Sequence, residues 1–434
     1  VPSLSIEHDP GPLGWVLDWV DSRFGPLQSV TAVRLSGQQP RWWVYNCALS
    51  RSIGVHYVPH PINCNGASID GSHALQKSLG EAVERHCWHN SYTWSEIEVL
   101  PASQCAVLDS LPACAPEEKC DSGFKGLSPH HVLRQTRVRN LATGESTWLP
   151  ANFVHANLPA CHEVNATVPI STGAAFHGDV ARALWSALCE VAERDAVMLC
   201  WLNQISAPRI DVDVNDCPAL LRDRLVAVQE RGLKATFWDV STDFRVPTVL
   251  CLVSANQYPY RTVGAACCAD PVVALAKSLD EVVLVRSVQI SGRDNVSAQS
   301  TTDFDWVFTL EDHSNLYALW PDTPAFRFLM EDSPNRVDLE SFVHHQWWRQ
   351  PEDMGQLKQM ARQLNDDLGL TVLWADITSE EVRGRGACVK VVVPEMVPLA
   401  VASASWLATR RLIDHAQRNG RSRPGVNPYP HPFP

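Results

Sequence analysis

Three segments of this chain repeat one helix, and that repeat constrains the fold more than any other feature. ALQKSLGEAVERH begins at Ala74, ALWSALCEVAERD at Ala183 and ALAKSLDEVVLVR at Ala274, and they align without gaps. Each opens Ala-Leu and places a Leu two residues before a Glu: Leu79 and Glu81, Leu188 and Glu190, Leu279 and Glu281. The first two copies add a second Glu and an Arg, Glu84–Arg85 and Glu193–Arg194. The third copy has Leu284 and Val285 there, with Arg286 one place later. A segment that recurs in this way marks one structural unit used several times. Residues three apart share a helix face, so Glu81 with Glu84, and Glu190 with Glu193, can reach one ion. Carboxylate oxygens suit a hard divalent cation, and Mg²⁺ usually completes its octahedron with water and phosphate. Arg side chains offer planar donors to phosphate oxygens. Lys77 and Lys277 stand four residues before the first Glu, where the second copy has Ser186, and on that face they can contact a phosphate or neutralise the carboxylates.

A single ExxER is ordinarily a solvated helix face laced with ion pairs. Three copies in one register alter that reading. If the units pack together, Glu81, Glu84, Glu190, Glu193 and Glu281 meet, and such a cluster repels itself without a cation. Other motifs do not compete: the chain has no GxxxxGK[ST] and no GxGxxG. His86 and His89 flank Cys87, but no second ligand pair follows at a zinc spacing, so they read as packing or surface groups, as do His344 and His345.

The rest of the chain predicts an α/β fold. Strands are expected at Thr31–Leu35 and Trp42–Tyr45, a loop over Asn63–Ser72, and helices at His73–Asn90, Gly178–Leu202 and Pro271–Ile290. Pro112–Pro129 reads as irregular. Strand pairs are expected at Thr236–Val240 with Thr248–Val253 and at Thr371–Ile377 with Ala387–Val393. Residues 295–340 read as an insertion or loosely packed subregion, and Ser403–Arg418 as the last helix. Interleaved strands and helices define the class. With 36 Lys and Arg against 48 Asp and Glu, the net charge of −12 argues against nucleic acid as a partner. No run approaches 18 apolar residues, so no membrane span is expected. The opening VPSLSIEHDP lacks the features of a signal peptide, and its lack of Met suggests a processed or trimmed start. The 14 Cys are scattered without a CxxC pair and read as free thiols in a cytoplasmic protein.

The chain ends NPYPHPFP, with Pro428, Pro430, Pro432 and Pro434 alternating. Alternating prolines make a stiff, extended segment with few backbone donors. A disordered end and a PxxP-type ligand are alternatives, although these prolines have the wrong phase for the latter. A stiff tail loses little entropy on docking. Pro432, Phe433 and Pro434 are therefore expected against the carboxylate cluster, with the terminal carboxylate in the pocket.

KSLGEAVER, STGAAFHGDVARALWSALCEVAERDAV, GAACCADPVVALAKSLDE, FWDVSTDFRVPTVL, LWADITSEEVRGRGACVKVVVPEMVPL and the terminal PHPFP together resemble the YcaO family, in particular its azoline-forming cyclodehydratases. The resemblance implies a YcaO-type fold of repeated α-β sandwich units around a central Mg-ATP site. It divides the chain into a lead-in of residues 1–60, a catalytic domain over 61–426 and the tail 427–434. It implies Mg²⁺ held by Glu81, Glu84, Glu190, Glu193 and Glu281, and ATP contacts from Lys77, Arg85, Ser186, Arg194, Lys277 and Arg286. It also implies a catalytic role for Pro432, Phe433 and Pro434. The implied reaction is ATP-dependent ring closure of Cys, Ser or Thr in a ribosomal precursor peptide to thiazoline or oxazoline. Implied partners are a separate leader-binding protein resembling ubiquitin-activating (E1-like, ThiF-like) enzymes, a flavin dehydrogenase as a later oxidant, and a second copy in a homodimer. Thioamide or amidine formation, and a non-catalytic peptide-presenting subunit, are the alternatives. The chain departs from the family pattern at Ala67, Lys77, Lys277 and Leu284.

Overall fold

Each repeat helix follows a strand, and an aspartate caps the turn between them. Asp70, Asp179 and Asp270 stand four residues before the repeated Ala-Leu and accept from the backbone N–H groups of His73 (2.8 Å), Arg182 (2.9 Å) and Val272 (2.8 Å). A carboxylate at this position satisfies donors that the first helical turn leaves without partners. The helices run over Gly71–Asn90, Val180–Leu202 and Pro271–Ser291. The structure is a computed structural model that describes residues 6–33, 35, 37, 39–50, 52–53, 56–57, 62–112, 127–159, 167–292, 301, 303–330, 335–399, 409–421 and 427–433. The start proposed for the last helix, Ser403, lies outside them, as do Pro434 and its carboxylate.

The strand before each helix belongs to a different sheet. Asn63–Ser68 completes a three-stranded antiparallel sheet with Trp43–Leu49 and Leu27–Val33. Ala174–His177 is the edge of a sheet that continues through Ala387–Val392, Leu373–Asp376, Val132–Asn140 and Ile97–Pro101, with Ser146–Pro150 also paired to Val132–Asn140. Arg261–Cys267 is the edge of a third sheet, followed by Thr248–Ser254, Lys234–Asp239, Arg209–Asp211 and Arg336–Asp338. The helices close these sheets into a ring. The first packs on the first sheet and on Ala174–His177 and Ala387–Val392 of the second. The second helix packs on those two strands and on Arg261–Cys267 of the third sheet, and the third helix returns to Asn63–Ser68. The ring brings the repeated Glu faces to one centre.

Two expectations need correction. Asn63–Ser68 is a strand, not a loop. Its Gly and Asn lower its intrinsic strand preference, but the close helix requires the Gly: a Cβ on Gly66 would lie 2.2 Å from the Ala74 carbonyl oxygen and 2.5 Å from the Ser78 nitrogen. The region 295–340 is well packed where described. Leu310–Leu319 is a helix, and Tyr317 and Phe326 hold their rings 5.9 and 5.4 Å from that of Trp201 in a shared apolar core. In the lead-in, Val16, Leu27 and Val30 share a core with Leu75 and Leu79 of the first repeat helix. Among the described residues no helix is long and apolar enough to cross a membrane, and the 11 cysteines described are free.

The last helix, Arg410–Arg418, is fastened to the second repeat helix by a buried ion network. Arg411 Nη2 lies 2.8 Å from Asp195 Oδ2 and 2.7 Å from Asp243 Oδ1. Asp195 is fully buried and also accepts from the Val397 N–H at 2.8 Å. Arg411→Met strands the Asp195 charge, so it is expected to cost about 3–5 kcal/mol in chemical denaturation. Arg410→Met, on the exposed side of the same helix, is expected to leave stability unchanged.

Candidate active site

The repeat register carries directly into geometry. The first Glu of each of the first two copies is held by the strand before its helix: Glu81 accepts from the Asn65 N–H at 2.6 Å and Glu190 from the Gly173 N–H at 3.1 Å. Glu193 reaches across to the third sheet and accepts from the Cys267 N–H at 3.0 Å. Arg85 spans Glu81 (3.1 Å) and Glu84 (3.7 Å), and Arg194 spans Glu190 (3.7 Å) and Glu193 (3.8 Å). The two copies are thus geometric equivalents.

Burial pushes Glu84 and Glu193 up to about 8, with repulsion from Glu190 adding to both, while Arg85 and Arg194 respectively pull them down. Glu281 is raised by burial and by the charges of Glu81 and Glu190. Carboxylates from all three helices therefore share one electrostatic centre. Glu84 is enclosed by protein yet 18 % exposed, as a group on the floor of a cleft would be.

The donor set fits a hard cation of a particular kind. Among the described residues no three His, Cys, Asp or Glu are grouped closely enough to hold a metal ion by themselves. Mg²⁺ seldom requires such a cage: one or two carboxylates, water and phosphate oxygens suffice. Raised carboxylic acids beside planar guanidiniums suit a cation that arrives with phosphate.

The other residues singled out in the sequence divide into two groups. Lys77 stays near the centre, donating to the Ala67 carbonyl at 2.9 Å and to Asp280 at 3.0 Å. Asp280 also takes Arg224 at 2.8 Å and the Trp42 indole N–H at 2.8 Å, so this cluster ties the first helix to the third. Ser186 and Lys277 are exposed one turn before Glu190 and Glu281. Arg286 points elsewhere: it is 2 % exposed, donates to the Pro259 carbonyl at 2.6 Å, and burial pushes it down to about 10. Its offset of one residue from Arg85 and Arg194 rotates it by about 100° around the helix.

Two further features complete the site. Lys390, on Ala387–Val392, is 2 % exposed and was not singled out in the sequence. Its ammonium donates to the carbonyls of Ile170 (2.7 Å) and Thr172 (2.6 Å) and stands 5.3 Å from the Trp88 ring. Burial pushes it down to about 7 against the pull of Glu190 and Glu84. The tail is docked. Asn427 is bonded to Leu202, the Trp201 indole donates to the Tyr429 carbonyl at 2.9 Å, and the Tyr317 hydroxyl donates to the Pro430 carbonyl. His313 Nδ1 donates to the His431 carbonyl at 2.8 Å, and their rings stack at 3.9 Å. Pro432 is buried, and Phe433, fully buried, places its ring 4.1 Å from the Arg194 guanidinium carbon.

These shifts set a pH dependence. A folded-state carboxyl raised to about 8 binds more protons than the unfolded chain does, so stability falls as pH rises from about 5. Lys390 acts oppositely, but only above about 7. Burial holds His89, His155 and His313 down at about 4, 3 and 4, which raises stability over the same range, so the acids' falling slope is read by difference: between pH 5.5 and 7 the melting temperature of the chain is expected to rise less, or fall more, than that of its Glu84→Gln/Glu193→Gln variant. Mg²⁺ with nucleotide is expected to flatten that slope by displacing the protons. The same pH slope in the chain and in the double variant would contradict the raised acids.

Comparisons with known proteins bear on the fold and the family. No curated protein sequence matches this chain. Among solved structures, a heterocyclase in complex with substrate and cofactor superposes with a TM-score of 0.77 at 16 % identity, covering 98 % of this chain and 57 % of that one. The chain thus spans little more than half of that longer protein. YcaO from Methanopyrus kandleri bound with AMPPCP and Mg²⁺ has a TM-score of 0.61 at 16 % identity, covering 90 % of this chain and 91 % of that one. The E. coli microcin synthetase McbBCD complex with pro-MccB17 bound gives 0.58 at 16 % identity, covering 87 % and 90 %. At these identities the likeness is one of fold. A family model described as YcaO cyclodehydratase, ATP- and Mg²⁺-binding, matches residues 65–397, which include every repeat helix, and the chain belongs to the YcaO family.

Proposed function

We propose that this chain is an ATP-dependent cyclodehydratase that converts Cys, Ser or Thr in a ribosomal precursor peptide to thiazoline or oxazoline. The observation that carries this reading is the convergence of Glu81, Glu84, Glu190, Glu193 and Glu281 from three repeat helices, with Arg85 and Arg194 among them and the tail folded onto Arg194. In the proposed reaction the side-chain thiol or hydroxyl adds to the preceding backbone carbonyl. The oxygen of that carbonyl takes the terminal phosphoryl group of ATP, and the amide nitrogen expels it as phosphate, closing the C=N bond. When bound, Mg²⁺ supplies charge neutralisation for phosphoryl oxygens.

The chain's own residues have distinct parts in this scheme. Of Glu81, Glu84, Glu190, Glu193 and Glu281, one or two at a time would hold each cation together with phosphate oxygens and water, and Arg85 and Arg194 would bind phosphate oxygens. Lys77 keeps the first and third helices in register through Asp280. Phe433 covers the face of Arg194, which fixes the guanidinium and excludes water from it. The neighbouring structure with pro-MccB17 bound supports a precursor peptide as substrate and a multi-protein assembly. A leader-binding partner is proposed for this chain on that ground.

Glu193→Gln is expected to lower ATP hydrolysis at least about 100-fold. The fold should remain, because Glu193 is already protonated near neutral pH without a cation and Gln mimics that form. Deleting residues 430–434 is expected to lower ring formation by about 100-fold through loss of positioning, with a much smaller change in nucleotide binding. Both are read by steady-state ATP turnover and by mass spectrometry of a leader-bearing peptide, which loses 18 Da per ring. Unaltered turnover in the Glu193→Gln protein would remove the assignment of the site.

A further inference from the structure

A groove opens beside the second repeat helix, walled by Phe153, Ile170, Val191, Val391, Met396 and Val397, with about 70 Å³ of free space. It grades from Val168, 36 % exposed, to Lys390, 2 % exposed. Among the described residues, its only charged lining groups are Arg194 and Lys390. No carboxylate lines it, although the acidic cluster lies on the same helices. Two of the three N–H groups of Lys390 are engaged by Ile170 and Thr172, which fixes the ammonium at the inner end of the groove.

An apolar channel ending in two cations selects an occupant with an apolar body and an electron-rich oxygen at its inner end. A purine base matches poorly, since it carries several polar edges and the walls offer few partners. An extended peptide matches well, with an apolar side chain against the valines and a carbonyl oxygen toward the cations. Resting on the function proposed above, we propose that this groove binds the residue preceding the cyclised Cys, Ser or Thr. It takes that residue's small apolar side chain and presents its carbonyl oxygen to Lys390 beside Arg194. This is the oxygen that gains negative charge when the thiol or hydroxyl adds, and a fixed cation stabilises that charge. The groove therefore sets a preference for apolar residues at that place in the substrate.

The test is fluorescence anisotropy with two labelled hexapeptide amides, Gly-Ala-Val-Cys-Gly-Ser and Gly-Ala-Lys-Cys-Gly-Ser, added to the full chain saturated with Mg²⁺ and AMPPCP. The Val peptide is expected to bind about tenfold tighter or better. Val168→Trp, at the exposed rim, is expected to weaken the Val peptide about tenfold and leave AMPPCP affinity unchanged. Val168→Lys, which adds length and a like charge at the mouth, is a second blocking variant with the same expectation. Equal binding of the two peptides, undiminished binding to the blocked variants, or a loss of AMPPCP affinity in them would each overturn the assignment. ATP turnover by the wild-type chain tests the parent reading separately. A chain that turns over ATP but does not discriminate between the peptides loses the groove alone. A chain that discriminates without turnover keeps the groove and loses the reaction.

Discussion

The centre of this molecule is governed by like charges forced together. Five carboxylates converge from three helices that the ring of sheets holds in place, and burial deprives them of the water that would screen them. The chain answers in two ways. Glu84 and Glu193 keep their protons to about pH 8. Arg85 and Arg194 stand among the carboxylates and offset part of their mutual repulsion. A divalent cation held by these carboxylates would displace the two protons and leave the arginines to an anion. The same residues thus describe a stable resting state and a state ready for a metal-bound phosphate.

Keeping that arrangement requires anchors that are not themselves in the site. Asp280 adjoins Glu281, and Asp195 adjoins Arg194. Adjacent helical residues point about 100° apart, so one member of each pair faces the centre while the other faces the packing. Asp280 gathers Lys77, Arg224 and Trp42, and Asp195 gathers Arg411, which also reaches Asp243. Each anchor draws its partners from distant parts of the chain, so the orientation of a site helix depends on the completed fold.

The sequence disclosed the repeat because a helix face has a fixed period, and the five Glu residues follow from it. The capping aspartates Asp70, Asp179 and Asp270 were equally legible, four residues before each Ala-Leu, but an alignment begun at Ala-Leu passes them by. Asn63–Ser68 was not legible as a strand, because the reason for its Gly66 is a helix backbone that comes later in the chain. Lys390 was hidden for a similar reason. In ACVKVVV it reads as the one solvent-facing residue of a strand. Its neighbours across the sheet are Ala174 and Ala375, whose small side chains leave room for a buried lysine. Arg286 shows the converse limit: similarity to the other copies suggests a shared role, and a shift of one residue carries the guanidinium to Pro259.

Arg194 is where these layers meet. It reaches Glu190 and Glu193, carries the Phe433 ring on its face and lines the apolar groove. Its helix is fixed by Asp195 to the last helix, and that helix precedes the tail that returns to cover Arg194 itself. The loop of dependence runs from site to anchor to tail and back to site. A tail of alternating prolines suits this closure, since ordering it removes less conformational freedom than the roughly 1–2 kcal/mol per residue of an ordinary chain. The last residues are therefore placed only when the core around Trp201, Tyr317 and Phe326 has formed. Completion of the site is thereby coupled to completion of the fold.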